Sequence, residues 1–119
     1  MEYKNTSLRE GGVQISTAVI EKIAKISALE VDGVKNISVG TSGVKGVFAK
    51  TNLPKSVEVT MYDGVAEITV HVIATYGYKL PVMCRAVQQA VKNGVQTLTD
   101  ITVSKVNIVI AGVETAEEE

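Results

Sequence analysis

The chain has 119 residues, of which 45% are hydrophobic and 21% charged, with 10 glycines, 2 prolines and a formal net charge of −1. This length and composition predict one domain with a single core and exclude a disordered or collagen-like chain. Apolar stretches fall far short of the roughly 20 residues of a membrane-spanning helix. The chain has one cysteine and one histidine, which excludes an intramolecular disulfide framework and a structural zinc site.

The first half of the chain is predicted to contain a strand, a helix and a second strand. Residues 12–15 are the first strand, and Ser16 is a typical N-cap for a helix that begins at Thr17. The helix is amphipathic and ends near residue 30, where Gly33 can adopt the positive φ that closes a helix. Residues 34–39 are the second strand, and residues 40–56 form a long loop.

The second half is predicted to contain a hairpin, a longer helix and a last strand. Residues 57–62 and 65–75 alternate between apolar and polar side chains and flank an Asp-Gly turn. Pro81 suits the first turn of the helix, and residues 102–110 form the last strand. The apolar stripe of this helix comprises Met83, Val87, Ala90, Val91, Gly94 and Leu98.

These elements predict an α+β fold, specifically a two-layer α/β sandwich. A mixed sheet of about five strands carries both helices on one face, because each helix has one apolar stripe and most strands have one apolar face. Residues 12–39 and 65–110 both follow the order strand, helix, strand, which indicates a weak internal βαβ duplication. We expect an N-terminal extension over 1–11, a single domain over 12–113 and an acidic disordered tail over 114–119.

No combination of residues predicts catalysis, a cofactor or a metal site. His71 could act as a general base, but it lies in the middle of a predicted strand and no nucleophile or orienting group accompanies it. Cys84, near the start of the second helix, is either a thiol with a lowered pKa or a small packing residue. Phosphate-binding glycine motifs and zinc-protease motifs do not occur. The residues therefore predict a non-enzymatic binding or scaffold module.

Two groups of residues are candidate contact sites. The outer face of the predicted sheet carries apolar and aromatic side chains among polar neighbours, namely Tyr62, His71, Ile73 and Val109. The long loop carries Lys45, Lys50 and Lys55 beside several glycines. Four of the thirteen acids lie in the last six residues, so the rest of the chain has a surplus of three positive charges. This surplus is spread along the chain rather than clustered, which argues against nucleic-acid binding.

Residues 12–34 and 76–113 together resemble the paired signatures of the alkaline shock protein family of bacterial envelope-stress proteins. The most specific positions are Ile15-Ser16, Val19-Ile20, Ile23-Ala24, Glu30-Val31, Gly33-Val34, Tyr76-Gly77, Gln89, Val91, Val95 and Val106-Asn107. The resemblance implies a cytoplasmic, non-enzymatic protein of cell-envelope homeostasis and stress response that self-associates as a homo-oligomer. Residues 1–10 also lack the apolar run of a signal peptide, which predicts the same compartment.

The resemblance further implies protein partners. These are a membrane-anchored protein, which would recruit the chain to the membrane periphery, or a lipid-synthesis enzyme. It supplies no catalytic residue. Tyr76 and Gly77 are expected to shape the turn before the second helix, and Asn107 to brace the last strand. Relatives often have Thr-Gly where this chain has Thr99-Asp100. The chain therefore lacks the glycine that would adopt a left-handed conformation there, and the turn before the last strand is expected to depart from the family's geometry.

Two alternative functions stay open. One is a nucleic-acid-binding module that uses the basic glycine loop, and it predicts salt-dependent binding through the three lysines. The other is a carrier of a small molecule or lipid intermediate, with a pocket between the helices and the sheet.

Overall fold

Two α-helices and four β-strands make up the described part of the chain, which in the computed structural model covers residues 13–39 and 55–116. The elements are α1 (Thr17–Leu29), β1 (Val34–Ile37), β2 (Val57–Tyr62), β3 (Val65–Thr75), α2 (Leu80–Thr99) and β4 (Thr102–Glu114). The predicted α+β class is confirmed. The N-terminal extension, most of the long loop and the end of the acidic tail lie outside the described residues.

β3 is the centre of the sheet because every other described strand pairs with it. β1 and β2 lie end to end along one edge of β3 and run antiparallel to it. β4 lies along the other edge and runs parallel to β3, paired from Thr102 to Glu114 with one extra residue at Ser104 and one at Ala111. The sheet is therefore mixed, and the unit β3–α2–β4 is a βαβ unit of the predicted kind.

The described part of the sheet has four strands rather than about five. Residues 13–16 are irregular, so the strand predicted at 12–15 is not part of it. Both edges of β3 are already occupied by other strands, which leaves such a short segment no pairing partner there. Because β1 runs antiparallel and has no strand before α1, the predicted βαβ duplication is not seen in the described residues.

A helix cap, a hairpin turn and a helix-starting proline have the structures that their sequence signals predict. The Ser16 side chain accepts a hydrogen bond from the Val19 N–H at 3.3 Å and caps α1. Asp63 and Gly64 have φ of 56° and 80°, the left-handed pair of a type I′ hairpin turn. Pro81 lies in the first turn of α2, where its missing N–H has no intrahelical partner.

The core lies between the two helices and one face of the sheet. Alternate residues of β3 are fully buried: Ala66, Ile68, Val70, Val72 and Ala74. They form one cluster with Ile20, Ala24 and Ala28 of α1 and with Met83, Val87, Val91 and Val95 of α2. The predicted face of β3 is therefore the core face, and both helices cover it.

The prediction that Leu98 belongs to the buried stripe of α2 is wrong, since its side chain is 69% exposed. The buried residues of α2 follow a four-residue spacing that ends at Val95. Four residues turn a helix by slightly more than one revolution, so the stripe drifts around it and next meets Thr99 rather than Leu98. The Thr99 hydroxyl donates to the Val95 carbonyl at 2.7 Å, which satisfies this polar group at the end of the helix.

The two helices approach each other closely at Gly94. A Cβ there would lie 3.3 Å from the Cβ of Ser27 and 3.7 Å from Cγ2 of Ile23. Small residues on both sides thus let the helices pack over the same sheet face.

Asp100 ends α2 with a φ of 67°, so the left-handed conformation is present at this turn although the residue is not glycine. We expect Asp100→Gly to raise the free energy of unfolding by about 0.5–1 kcal/mol, since glycine adopts this conformation without the steric cost of a Cβ. Urea unfolding followed by circular dichroism measures the change.

The matched control is Asp100→Asn, which removes the carboxylate from the negative end of the helix dipole but keeps a Cβ. Asparagine should give less stabilisation than glycine. Equal stabilisation by both variants would show that charge, and not backbone strain, is the cost at this position.

Candidate interaction surfaces

A pocket of about 560 Å³ opens where the turn after α1 meets the start of α2. Its lining residues are Val31, Asp32, Gly77, Tyr78, Lys79, Val82, Met83 and Ala86. We call this the tyrosine pocket. Its volume lies within the roughly 300–1,000 Å³ typical of ligand sites, and most of its lining side chains are apolar.

Gly33 forms the floor against which the ring of Tyr78 packs. Its φ is 98°, and a Cβ at this position would lie 2.9 Å from two ring carbons of Tyr78 and 3.3 Å from Cγ of Met83. The Gly33 carbonyl also accepts a hydrogen bond from the Thr75 N–H at 2.8 Å. The missing side chain therefore lets the ring lie directly on the backbone of the turn.

The rim of the tyrosine pocket combines exposed apolar surface with two opposite charges. Tyr78 is 48% exposed and Val82 is 56% exposed, and the neighbouring Tyr76 is 74% exposed. Asp32 and Lys79 add a carboxylate and an ammonium group at its edge. Tyrosine is enriched among the residues that dominate binding energy at protein interfaces, since it offers a large apolar ring and a polar hydroxyl.

The turn before α2 is tied to the end of β4. The Tyr76 N–H donates to the Glu114 carbonyl at 2.7 Å, and Gly77 has a φ of 108°. Asn107 donates through Nδ2 to Oε2 of Glu67 at 3.1 Å and to Oγ1 of Thr69 at 3.3 Å, which connects β4 to β3. Tyr76 and Gly77 therefore lie in the turn before α2, and Asn107 lies at the contact between β4 and β3.

The four residues predicted on the outer sheet face are not one continuous patch. His71 and Val109 lie directly opposite each other on β3 and β4, and Val109 is 42% exposed. Ile73 is only 6% exposed and offers a partner little surface. Tyr62, 76% exposed, pairs with Val65 at the far end of β3, about 20 Å from His71 along the strand.

Of the three lysines of the basic loop, Lys45 and Lys50 lie outside the described residues. Lys55 lies 3.0 Å from a carboxylate oxygen of Glu21 in α1. Both line a pocket of about 330 Å³ together with Lys22 and Lys25. Within the described ranges, Lys55 is therefore partly compensated by Glu21 in a pocket that three lysines line.

The two candidate reactive side chains are a partly buried thiol, Cys84, and an imidazole beside a backbone carbonyl, His71. Burial raises the pKa of the Cys84 thiol, which favours the packing interpretation over an activated thiol. His71 Nδ1 lies 3.2 Å from the Ser56 carbonyl oxygen. Residues 13–39 and 55–116 contain no group of three or more acidic, cysteine or histidine side chains placed to hold a metal ion.

Sequence reasoning found the turn at Tyr76 and Gly77 but missed the tyrosine pocket beside it. Two tyrosines beside a turn are a detectable signal, because tyrosine is enriched at protein interfaces. No spacing rule, however, relates Gly33 to Tyr78, since their proximity depends on how α1 and α2 pack.

Comparison with known proteins gives one family and several relatives. The model of the alkaline shock protein 23 family, described as having a cell envelope-related function, matches residues 5–115. The uncharacterized protein YqhY of Bacillus subtilis is 34% identical over 115 residues, covering 96% of this chain and 84% of that protein.

Two proteins of Streptococcus pyogenes serotype M6 are also similar. The uncharacterized protein Spy1535 is 32% identical over 104 residues, covering 87% of this chain and 79% of that protein. The uncharacterized protein Spy1614 is 25% identical over 114 residues, covering 92% and 93%. No solved structure matches significantly. Neither α1 nor α2, the two helices of the described ranges, is sufficiently long and apolar to span a membrane.

Proposed function

The chain belongs to the alkaline shock protein 23 family, which has a cell envelope-related function, and we propose that it serves this function as a non-enzymatic interaction module. The module binds a protein partner through the tyrosine pocket. The partner is the cytoplasmic segment of a membrane-anchored protein, which recruits the chain to the membrane periphery during envelope stress. The observation that carries the proposal is the exposure of Tyr78 and Val82 around a pocket of about 560 Å³.

Binding would bury an apolar side chain of the partner between the ring of Tyr78 and the side chain of Val82. Tyr78 is held on its inner side by the backbone of Gly33, so its ring is positioned before the partner arrives. A positioned ring loses little conformational freedom on binding, which increases affinity. Asp32 and Lys79 flank the apolar centre and can pair with polar groups of the partner, giving the apolar core and polar rim of a protein interface.

Affinity purification of the tagged chain from its own host tests this proposal. Cells are gently cross-linked, and membrane and soluble fractions are analysed separately by mass spectrometry. We expect Tyr78→Ala to reduce recovery of the membrane partner at least tenfold, since truncation of a central interface tyrosine commonly costs about 2 kcal/mol or more. The matched control is Tyr62→Ala, which removes an exposed tyrosine at the far end of the sheet.

Thermal unfolding of both variants establishes that they are folded before recovery is compared. Equal recovery of every membrane protein and lipid-synthesis enzyme by the wild type, Tyr78→Ala and Tyr62→Ala would contradict a role for the tyrosine pocket. Normal envelope integrity and stress tolerance in a deletion strain would contradict the wider function. Recovery of ribosomal proteins that are lost on nuclease treatment would favour the nucleic-acid alternative. A small molecule that co-purifies with the wild type but not with Tyr78→Ala would favour the carrier.

A further inference from the structure

A second cavity, of about 330 Å³, opens between the first half of α1 and the start of β2. Its lining residues are Ala18, Glu21, Lys22, Lys25, Lys55, Ser56 and Val57. We call this the lysine pocket. It shares no lining residue with the tyrosine pocket, which lies beyond the C-terminal end of α1. Its volume is within the range of sites for small ligands.

Helix α1 presents the lysine pocket on a side of its own. The four α1 residues of the pocket follow the spacing i, i+3, i+4 and i+7, which places them on one side of a helix. The buried residues of α1 face the core, and Ile23 and Ser27 approach α2 at Gly94. The pocket residues therefore occupy the side of α1 that is next to β2 and free of both contacts.

The charges of the lysine pocket are mostly positive and only partly compensated. Lys55 Nζ lies 3.0 Å from Oε2 of Glu21, whose side chain is only 22% exposed. Lys22 and Lys25, by contrast, pair with no carboxylate of residues 13–39 and 55–116. Three lysines against one glutamate give the lining a formal charge of +2. Like charges gathered in a concave site concentrate the electric field there and attract an ion of the opposite sign.

We propose that the lysine pocket binds a phosphate monoester group. Such a group carries a charge of about −1.5 to −2 at neutral pH and has three strong acceptor oxygens. It therefore matches both the charge of the pocket and its three ammonium donors. Lys22 and Lys25 lie three residues apart on one side of α1 and repel each other. A phosphate between them would replace this repulsion by two charge-assisted hydrogen bonds.

The distribution of charge favours a single phosphate group over a nucleic-acid strand. A strand requires positive charges along a track of several nucleotides. The other lysines and the arginine of the described ranges belong to β1, to α2 with its N-cap and to β4, and none of them lines the pocket: Lys35, Lys79, Arg85, Lys92 and Lys105. The positive charge of α1 and the start of β2 is thus concentrated at one cavity.

Two sources can present the same chemical group to the lysine pocket. One is a soluble phosphorylated molecule, and the other is the headgroup of phosphatidic acid in a membrane. Glycerol 3-phosphate and vesicles of phosphatidic acid in phosphatidylcholine carry the same phosphate monoester on glycerol, so they distinguish the two sources. Glycerol and vesicles of phosphatidylcholine alone are the controls that lack the monoester.

NMR titration of the isotope-labelled chain with glycerol 3-phosphate measures binding at each backbone amide. At low salt we expect saturable shifts at Glu21, Lys22 and Ser56 with a Kd of about 1 mM, and weaker binding as salt screens the charges. The double variant Lys22→Gln with Lys25→Gln should weaken binding at least about fivefold. Lys92→Gln removes an exposed lysine of α2 outside the pocket and should bind like the wild type.

Glu21→Gln should change the affinity in the opposite direction. This variant removes the negative charge from the pocket lining, and its amide oxygen can still accept a hydrogen bond from Lys55. Glycerol 3-phosphate should therefore bind about threefold more tightly. A purely structural role of Glu21 would not tighten binding. Thermal unfolding of every variant establishes that it is folded before affinities are compared.

Binding of either phosphate probe that depends on Lys22 and Lys25 supports the proposal and identifies the source. Saturable binding of free glycerol 3-phosphate indicates a soluble ligand. Sedimentation with phosphatidic acid vesicles, without binding of the free molecule, indicates a lipid headgroup.

Several outcomes would overturn the proposal. These are failure of both probes to bind, equal binding by the wild type and the double lysine variant, weaker binding by Glu21→Gln, and tighter lysine-dependent binding of an RNA oligonucleotide than of either probe. The inference does not rest on the tyrosine pocket. Tyr78→Ala should bind glycerol 3-phosphate like the wild type, so failure of the partner site and failure of the phosphate site are separate results.

Discussion

Replacing Ile68 by alanine should lower the free energy of unfolding by about 3–4 kcal/mol. Ile68 is completely buried at the centre of β3, where it pairs with Val59 on one side and Val106 on the other and faces the helices. Removing three carbon atoms there loses their transfer free energy and leaves a cavity that the surrounding strands cannot fill. Urea unfolding at one protein concentration, followed by circular dichroism, measures the loss.

The same substitution on the surface is the control. Ile26 in α1 is 49% exposed, and alanine has the higher helix propensity, so Ile26→Ala should change stability by less than about 1 kcal/mol. Both variants replace isoleucine by alanine, so the difference between their losses in free energy of unfolding reports the effect of burial. A loss at Ile26 as large as that at Ile68 would mean that the outer surface of α1 is covered, which would redirect the search for an interface to that helix.

Replacing Gly33 by alanine is expected to cost about 2–4 kcal/mol and to change the tyrosine pocket as well. The φ of 98° is unfavourable for any residue with a Cβ. The new methyl group would also meet the Tyr78 ring at 2.9 Å and push it outwards. The measurements are urea unfolding and the NMR shifts of the Tyr78 ring protons, which should move when the ring leaves the backbone of the turn.

Gly77→Ala separates backbone strain from the ring contact. Gly77 has a similar φ of 108°, but a Cβ there would meet no atom within 4 Å. This variant should lose about 1–2 kcal/mol from strain alone, less than Gly33→Ala. Equal losses, with unchanged Tyr78 resonances in both variants, would contradict the close packing of the ring on Gly33 and remove the structural basis for a positioned tyrosine.

These two predictions show how the fold and the candidate site are connected. The core at Ile68 holds the sheet and the helices together, and the packed helices bring Gly33 beneath Tyr78. A variant that loosens this packing should therefore weaken partner binding without touching the pocket. Partner recovery with Ile68→Ala, compared with Tyr78→Ala at a temperature where both are folded, distinguishes the indirect from the direct effect.

Local chemistry in the sequence determined most of the elements. The Ser16 cap, the Asp-Gly turn and the proline of α2 each act through neighbouring residues, and the bounds of β2 and β3 follow from simple alternation. The strand predicted at 12–15 is irregular over residues 13–15, because strand pairing depends on where a segment lies relative to the sheet, which alternation does not report. The exposure of Leu98 followed from the drift of a helical stripe relative to the sheet, which depends on the packing angle.

The sequence by itself determined the α+β class, the core face of β3, the Asp-Gly hairpin turn and the family resemblance. It did so because periodicity, turn chemistry and ordered motifs are carried by residues close together in the chain. The tyrosine pocket and the contact between α2 and β4 were decided only by the tertiary structure. Each joins residues far apart in sequence, Gly33 with Tyr78 and Gln88 with Val106, and their contacts exist only after α2 has packed on α1 and β4.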